Sequence, residues 1–150
     1  MDDRIKELKA DIQHEMASLK KLLKEMEGIS LDRNIMTRRA IGSILQDSYN
    51  CCERIFRMIV QEVNGVFPAG LDWHKQLLNK MTYGIEGLRP EVISEELASE
   101  LEEYLSFRHL FRNIYGYELL SDRLERLKER SVPVFLRFIG EIESFMRKID

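Results

Sequence analysis

From residue 108 to residue 115 the chain reads Arg-His-Leu-Phe-Arg-Asn-Ile-Tyr, a run in which several polar functional groups crowd into a dense apolar pattern. Arg108 and Arg112 are four residues apart and Arg112 and Tyr115 three, so on a helix all three share a face. His109 and Asn113, also four apart, form the neighbouring stripe. Arginine forks suit phosphate oxygens, and an imidazole can move a proton near neutral pH. An amide and a phenol complete the set. The competing reading is structural: Arg108 and Arg112 would pair with Glu102, Glu103 or Glu118, and His109 would close an edge of the core. Two further histidines stand apart. His74 follows Trp73 and would ordinarily cap or pack, while His14 lies on a charged stretch that reads as surface.

The elements that must position this run are helical. Ile5, Leu8, Ile12, Met16, Leu19, Leu22, Leu23 and Met26 recur at three- and four-residue steps and predict one long helix ending near Gly28. Asp32 is the expected cap of a second, whose stripe runs from Ile35 through Tyr49, Cys52 and Phe56 to Val63, with Asn64-Gly65 as its stop. A short turn between two such helices implies an antiparallel hairpin. After a loop containing Gly65, Pro68 and Gly70, Asp72 is expected to cap a short helix holding Trp73, His74, Leu77, Leu78 and Met81. A second loop spans Gly84 to Pro90. Ser94, followed by Glu95 and Glu96, predicts the start of the helix that carries Arg108, with Gly116 as its stop. Asp122 and Glu125 resemble a capping box for a last helix, which Pro133 should kink or divide near Ser131. No strand alternation of useful length appears. The fold class expected is all-α, a bundle of four long helices plus one short helix.

Composition bounds the function. At 150 residues the chain fits a single domain over 1–150, large enough to bury a core without metal or disulfide support. A net charge of -3 argues against coating nucleic acid through a global positive field, so any such binding has to come from a local groove. Cys51 and Cys52 are sequence neighbours, between which a disulfide is strained, and they read as small buried apolar residues. With no Cys/His cluster of zinc spacing, neither a metal site nor a cofactor is expected. The N-terminus opens into a charged amphipathic run unlike a signal peptide, and no apolar stretch approaches the roughly 18 residues that span a bilayer. The expected location is the cytoplasm, with no membrane association.

The octet from Arg108 to Tyr115 resembles the signature of the HEPN superfamily, and within it the HepT-like ribonuclease toxins of prokaryotic toxin–antitoxin pairs. That signature is an arginine, a polar residue, three further residues, a histidine, one residue and a tyrosine. Arg108, His109 and Tyr115 match it, whereas Asn113 stands where the histidine belongs. Tyr49-Asn50-Cys51-Cys52-Glu53-Arg54-Ile55-Phe56 is similar to the second-helix segment of a HepT-like subgroup. Phe67-Pro68-Ala69-Gly70-Leu71-Asp72-Trp73-His74-Lys75-Gln76-Leu77-Leu78 is similar to the loop and short helix that follow it there. The resemblance implies a HEPN-like bundle that forms a homodimer, with motif helices facing a shared cleft for RNA. It also implies an MNT-type nucleotidyltransferase antitoxin as partner, able to add AMP to the motif tyrosine, here Tyr115. The catalytic residues carried over are Arg108, at the scissile phosphate, with His109, Asn113 and Tyr115. Arg112 and His74 are expected to bind substrate. Asn113 is the departure, because a carboxamide does not titrate in the useful range. His109, one helical turn before it, and His74 are the imidazoles that could substitute. The alternative function is a HEPN module that has lost catalysis but still binds nucleotide, RNA or the nucleotidyltransferase.

Overall fold

The structure, a computed structural model, describes residues 2–64, 66–113 and 122–149, with the backbone alone at Asn64 and Asn113. Five α-helices account for most of them: α1 (Asp3–Glu27), α2 (Ile35–Ile59), α3 (Trp73–Lys80), α4 (Glu95–Asn113) and α5 (Asp122–Lys148). A π-helical stretch, Val60–Asn64, extends α2. The described residues form the expected all-α bundle, with four long helices and one short.

The stripe of α1 buries Leu8, Ile12, Met16, Leu19, Leu23 and Met26, and the helix ends at Gly28. It runs antiparallel to α2. Glu15 meets Arg54 at 2.7 Å, while Arg4, near the start of α1, meets Glu62 beyond the end of α2 at 3.4 Å. Both pairs report the register, and the solvent-facing Arg4–Glu62 pair contributes little stability itself. The hairpin is held by apolar burial.

Two caps differ from expectation. Asn34, and not Asp32, caps α2, its side-chain oxygen accepting from the Met36 amide at 2.8 Å. Asp32 instead accepts from the Asn34 amide at 2.8 Å, a turn within the loop that moves the helix start two residues on. Asp72 precedes α3 as predicted, but its carboxylate accepts from the Gln76 side chain at 2.6 Å and makes no side-chain cap bond to the backbone.

α2 lies at the centre and packs against α1, α3, α4 and α5. The loop from α3 to α4 is pinned by buried Arg89, which donates to the carbonyls of Lys80, Tyr83 and Pro90 at 2.8–3.1 Å. Ser94 caps α4 as predicted: its hydroxyl accepts from the Leu97 amide at 3.1 Å and donates to Glu141 of α5, also at 3.1 Å. Ser94→Ala removes both, and the expected cost is about 1 kcal/mol, read as a lower urea midpoint at unchanged slope. Ser94→Thr keeps the hydroxyl and should hold most of that stability.

Pro133 does not divide the last helix. α5 runs unbroken from Asp122 to Lys148, with Leu127 and Ser131 buried before the proline and Val134, Phe135 and Phe138 after it. Pro133 and Glu129 are both exposed, so the carbonyl that loses its donor lies on the water-facing side. Glu125, expected in a capping box, instead accepts from Arg38 at 3.1 Å. The expected stop at Gly116 lies outside the described residues.

Candidate functional site

The inward face of α4 begins as ordinary core. Leu97, Leu101, Tyr104 and Phe107 are buried, and the Tyr104 hydroxyl donates to the Leu127 carbonyl of α5 at 2.8 Å. Tyr104 also meets the Phe135 ring at 5.0 Å, edge to face. One turn further along that face stands Arg108, which is 5% exposed. The helix rotation that buries Tyr104 therefore buries a guanidinium as well.

A buried cation needs partners, and α2 supplies them. Arg108 Nη1 donates to Asn50 Oδ1 at 2.6 Å and to Glu53 Oε1 at 3.2 Å, and Nη2 donates to Glu53 Oε2 at 3.2 Å. Glu53 is itself 6% exposed, so the two form a desolvated, fork-to-fork ion pair. The Arg108 guanidinium also lies over the Tyr49 ring, 5.1 Å from its centre. Tyr49 Oη is buried without a hydrogen-bond partner among the described residues, and burial first, then the Glu53 charge, pushes its ionisation far upward.

α3 closes the cluster from the third side. His74 Nδ1 lies 2.8 Å from Glu53 Oε2 and 3.0 Å from Arg108 Nη2. Its ring lies tilted against Trp73, with centres 3.6 Å apart, and Trp73 in turn meets Phe67 at 5.3 Å, with the Arg57 guanidinium over the Trp73 and Phe67 rings. This packing fixes the start of α3 against α2 and sets the imidazole where it is.

Beside the cluster opens a groove of about 690 Å³ between α3 and α4. Arg108, His109, Arg112 and His74 all line it, together with Lys75. Lys75 is paired across the groove to Glu102 at 3.1 Å. His109 and Arg112 are exposed, and Arg108 forms part of the floor. The residues singled out in sequence thus converge wherever they are described. Tyr115 and the side chain of Asn113 lie outside the described residues.

The structural alternative for Arg108 takes a different form from the one expected. Its carboxylate partner is Glu53 of α2, whereas Glu102 pairs with Lys75 and Glu103 with Arg130 at 3.6 Å. Glu118 lies outside the described residues. Asn50 and Glu53 were therefore missed as site residues. The available signal was a carboxylate at position 53, four residues after Tyr49 and three before Phe56, on the stripe that reads as buried.

Cys51 and Cys52 are buried free thiols, as their composition suggested. Burial, with the Glu15 carboxylate nearby, pushes the Cys51 thiol up to about 11, and burial drives Cys52 well above its ordinary value. Thiolate chemistry is disfavoured at both. Among the described residues no group of three metal-ligating side chains converges, and no helix is long and apolar enough to cross a membrane.

The arrangement presents two arginines, two histidines and a lysine around one groove, with Asp72 and Glu102 also in its lining and Glu53 behind Arg108. No curated protein and no solved structure matches the chain. A sequence model of the HepT-like proteins matches residues 40–149, a span that takes in all of α3, α4 and α5 and most of α2. That match covers most of the chain and contains every residue of the groove, so the chain belongs to the HepT-like family of HEPN proteins.

Proposed function

We propose that the chain is a HepT-like toxin of a type II toxin–antitoxin pair, a single-domain endoribonuclease that cuts RNA without a metal ion. One observation carries this reading: the groove gathers Arg108, His109, Arg112, His74 and Lys75, cationic phosphate ligands with imidazoles among them. Arg112 and Lys75 would hold the RNA backbone, and Arg108 would stabilise charge on the scissile phosphate. Asn113 and Tyr115 would complete the motif next to it. A single motif helix offers half a cleft, so the active form would be a homodimer, with a strictly monomeric species counting against the mechanism. The antitoxin would be an MNT-type nucleotidyltransferase, acting in the same cytoplasm and able to add AMP to Tyr115.

Purified protein in chelator should cleave RNA. Arg108→Ala should lower the rate by about 100-fold or more, the usual scale for losing a charge-stabilising donor. Because that change leaves Glu53 buried without its counter-ion, Arg112→Ala serves as a second variant: it is exposed, should fold normally, and should weaken RNA binding. Full activity in a folded Arg108 variant would sink the assignment.

A second reading is favoured by Asn113 and by the Glu53–Arg108 pair, which neutralises the motif arginine. In it the chain is a HEPN module that binds RNA, nucleotide or the nucleotidyltransferase without cutting. It predicts no cleavage by the wild type, with binding that still weakens in Arg112→Ala.

A further inference from the structure

Metal-free cleavage of RNA needs one group to take the 2′-hydroxyl proton and another to protonate the departing oxygen. Asn113 can do neither, since a carboxamide has no proton to exchange in the useful range. The structure brings a different imidazole to Arg108, from another helix. His74 Nδ1 is 2.8 Å from Glu53 Oε2 and 3.0 Å from Arg108 Nη2.

The partners decide where the ring proton sits. A carboxylate only accepts, and two lone pairs facing each other at 2.8 Å would repel, so Nδ1 carries the proton and donates it to Glu53. Arg108 Nη2 already has an acceptor in the same oxygen at 3.2 Å. In the neutral ring Nε2 is then the unprotonated nitrogen, on the edge away from Glu53. The side chain of His74 is 33% exposed and lines the groove, whereas that of Glu53 is 8% exposed. A buried carboxylate behind an accessible imidazole is the arrangement that fixes a catalytic tautomer.

We infer that His74, oriented by Glu53, is the residue that takes the 2′-hydroxyl proton in this groove, in the role that Asn113 cannot fill; the inference rests on the ribonuclease reading above. The 2′ oxygen bonds to phosphorus as its proton passes to His74 Nε2. The bond from phosphorus to the 5′ oxygen breaks, and that oxygen takes a proton from the imidazolium of His109, which lines the same groove from α4. The products are a 2′,3′-cyclic phosphate and a 5′-hydroxyl. His74 is the catalytic residue and Glu53 a positioning residue that acts through it. Glu53 from α2 and Arg108 from α4 contact His74, and the other titratable or charged groups of the groove are Glu102, His109 and Arg112 from α4 with Asp72 and Lys75 beside it.

The test is the cleavage rate of the full chain against pH, without metal, for wild type, His74→Ala and His74→Gln, with nitrogen NMR of the His74 ring alongside. His74→Ala and His74→Gln should each lose about 100-fold or more, the usual scale for a general base, together with the acidic limb of the pH profile. Free imidazole should restore part of the rate to His74→Ala, which a purely structural role would not allow. Glu53→Gln should give a smaller loss and a changed ring tautomer. Wild-type activity with an unchanged rate and pH profile in both His74 variants overturns the inference and leaves the ribonuclease reading standing. Absence of cleavage by the wild type overturns both. A ring proton found on Nε2 in the wild type overturns the inference whatever the activity.

Discussion

Glu53→Ala should destabilise the protein by about 3–5 kcal/mol, enough to threaten folding in a domain whose whole stability is of order 5–15 kcal/mol. The reason lies in what remains. Arg108 is 5% exposed, and without Glu53 the described residues leave it the Asn50 side-chain oxygen and the face of the Tyr49 ring against a full positive charge. Burying an uncompensated guanidinium is far costlier than losing a solvent-facing bridge such as Arg4–Glu62. The double variant Glu53→Ala/Arg108→Met should recover most of the loss, because it removes the stranded charge and keeps an apolar stem in the space. Urea unfolding of the wild type, both single variants and the double variant closes the cycle. A Glu53→Ala cost below about 1 kcal/mol would show that the pair is not desolvated, by the scale for exposed pairs. The same cycle separates stability from chemistry, since the double variant should fold well yet leave RNA intact.

The bundle was legible because its helices bury stripes. Leu8 to Met26 on α1 and Tyr49 to Ile59 on α2 repeat at the helical period, and those positions are buried. The candidate site was visible for a related reason: Arg108 continues the buried stripe of α4 with a charge that needs partners, and exposed His109 and Arg112 flank it. The partners themselves were not legible. Sequence spacing reports neighbours within one helix, which pointed to Glu102 and Glu103, whereas Glu53 lies 55 residues away and meets Arg108 only through the packing of α2 on α4. His74 shows the same limit, as its distance from the motif depends on where a short helix docks. The Ser94 cap formed as expected, and two other cap assignments failed more locally. Asp32 and Asp72 are good cap residues, but a short carboxylate has several nearby donors, and at both sites another donor won. Division of the last helix at Pro133 was over-read because that expectation ignored which side of the helix faces water.

Phe135→Ala should cost about 3–5 kcal/mol, with Leu136→Ala beside it changing stability by no more than about 0.5 kcal/mol. Phe135 is fully buried, whereas Leu136 is 52% exposed, so one change opens a cavity and the other does not. The consequence reaches the groove through a short physical route. Phe135 packs edge to face on Tyr104, and the Tyr104 hydroxyl is tied to the Leu127 carbonyl, so this seam fixes the rotation of α4 about its own axis. Arg108 is one turn beyond Tyr104 on the same face, and its reach to Asn50 and Glu53 depends on that rotation. Tyr104→Phe separates the two contributions: the ring contact survives, the hydrogen bond is lost, and the expected cost falls to about 1 kcal/mol. If the seam sets the motif arginine, amide exchange in α4 should rise in Phe135→Ala and scarcely change in Leu136→Ala. Equal exchange in the two variants would mean that α4 is held by its Ser94 cap and by Arg108 itself, so that the ion pair positions the helix and is not positioned by it.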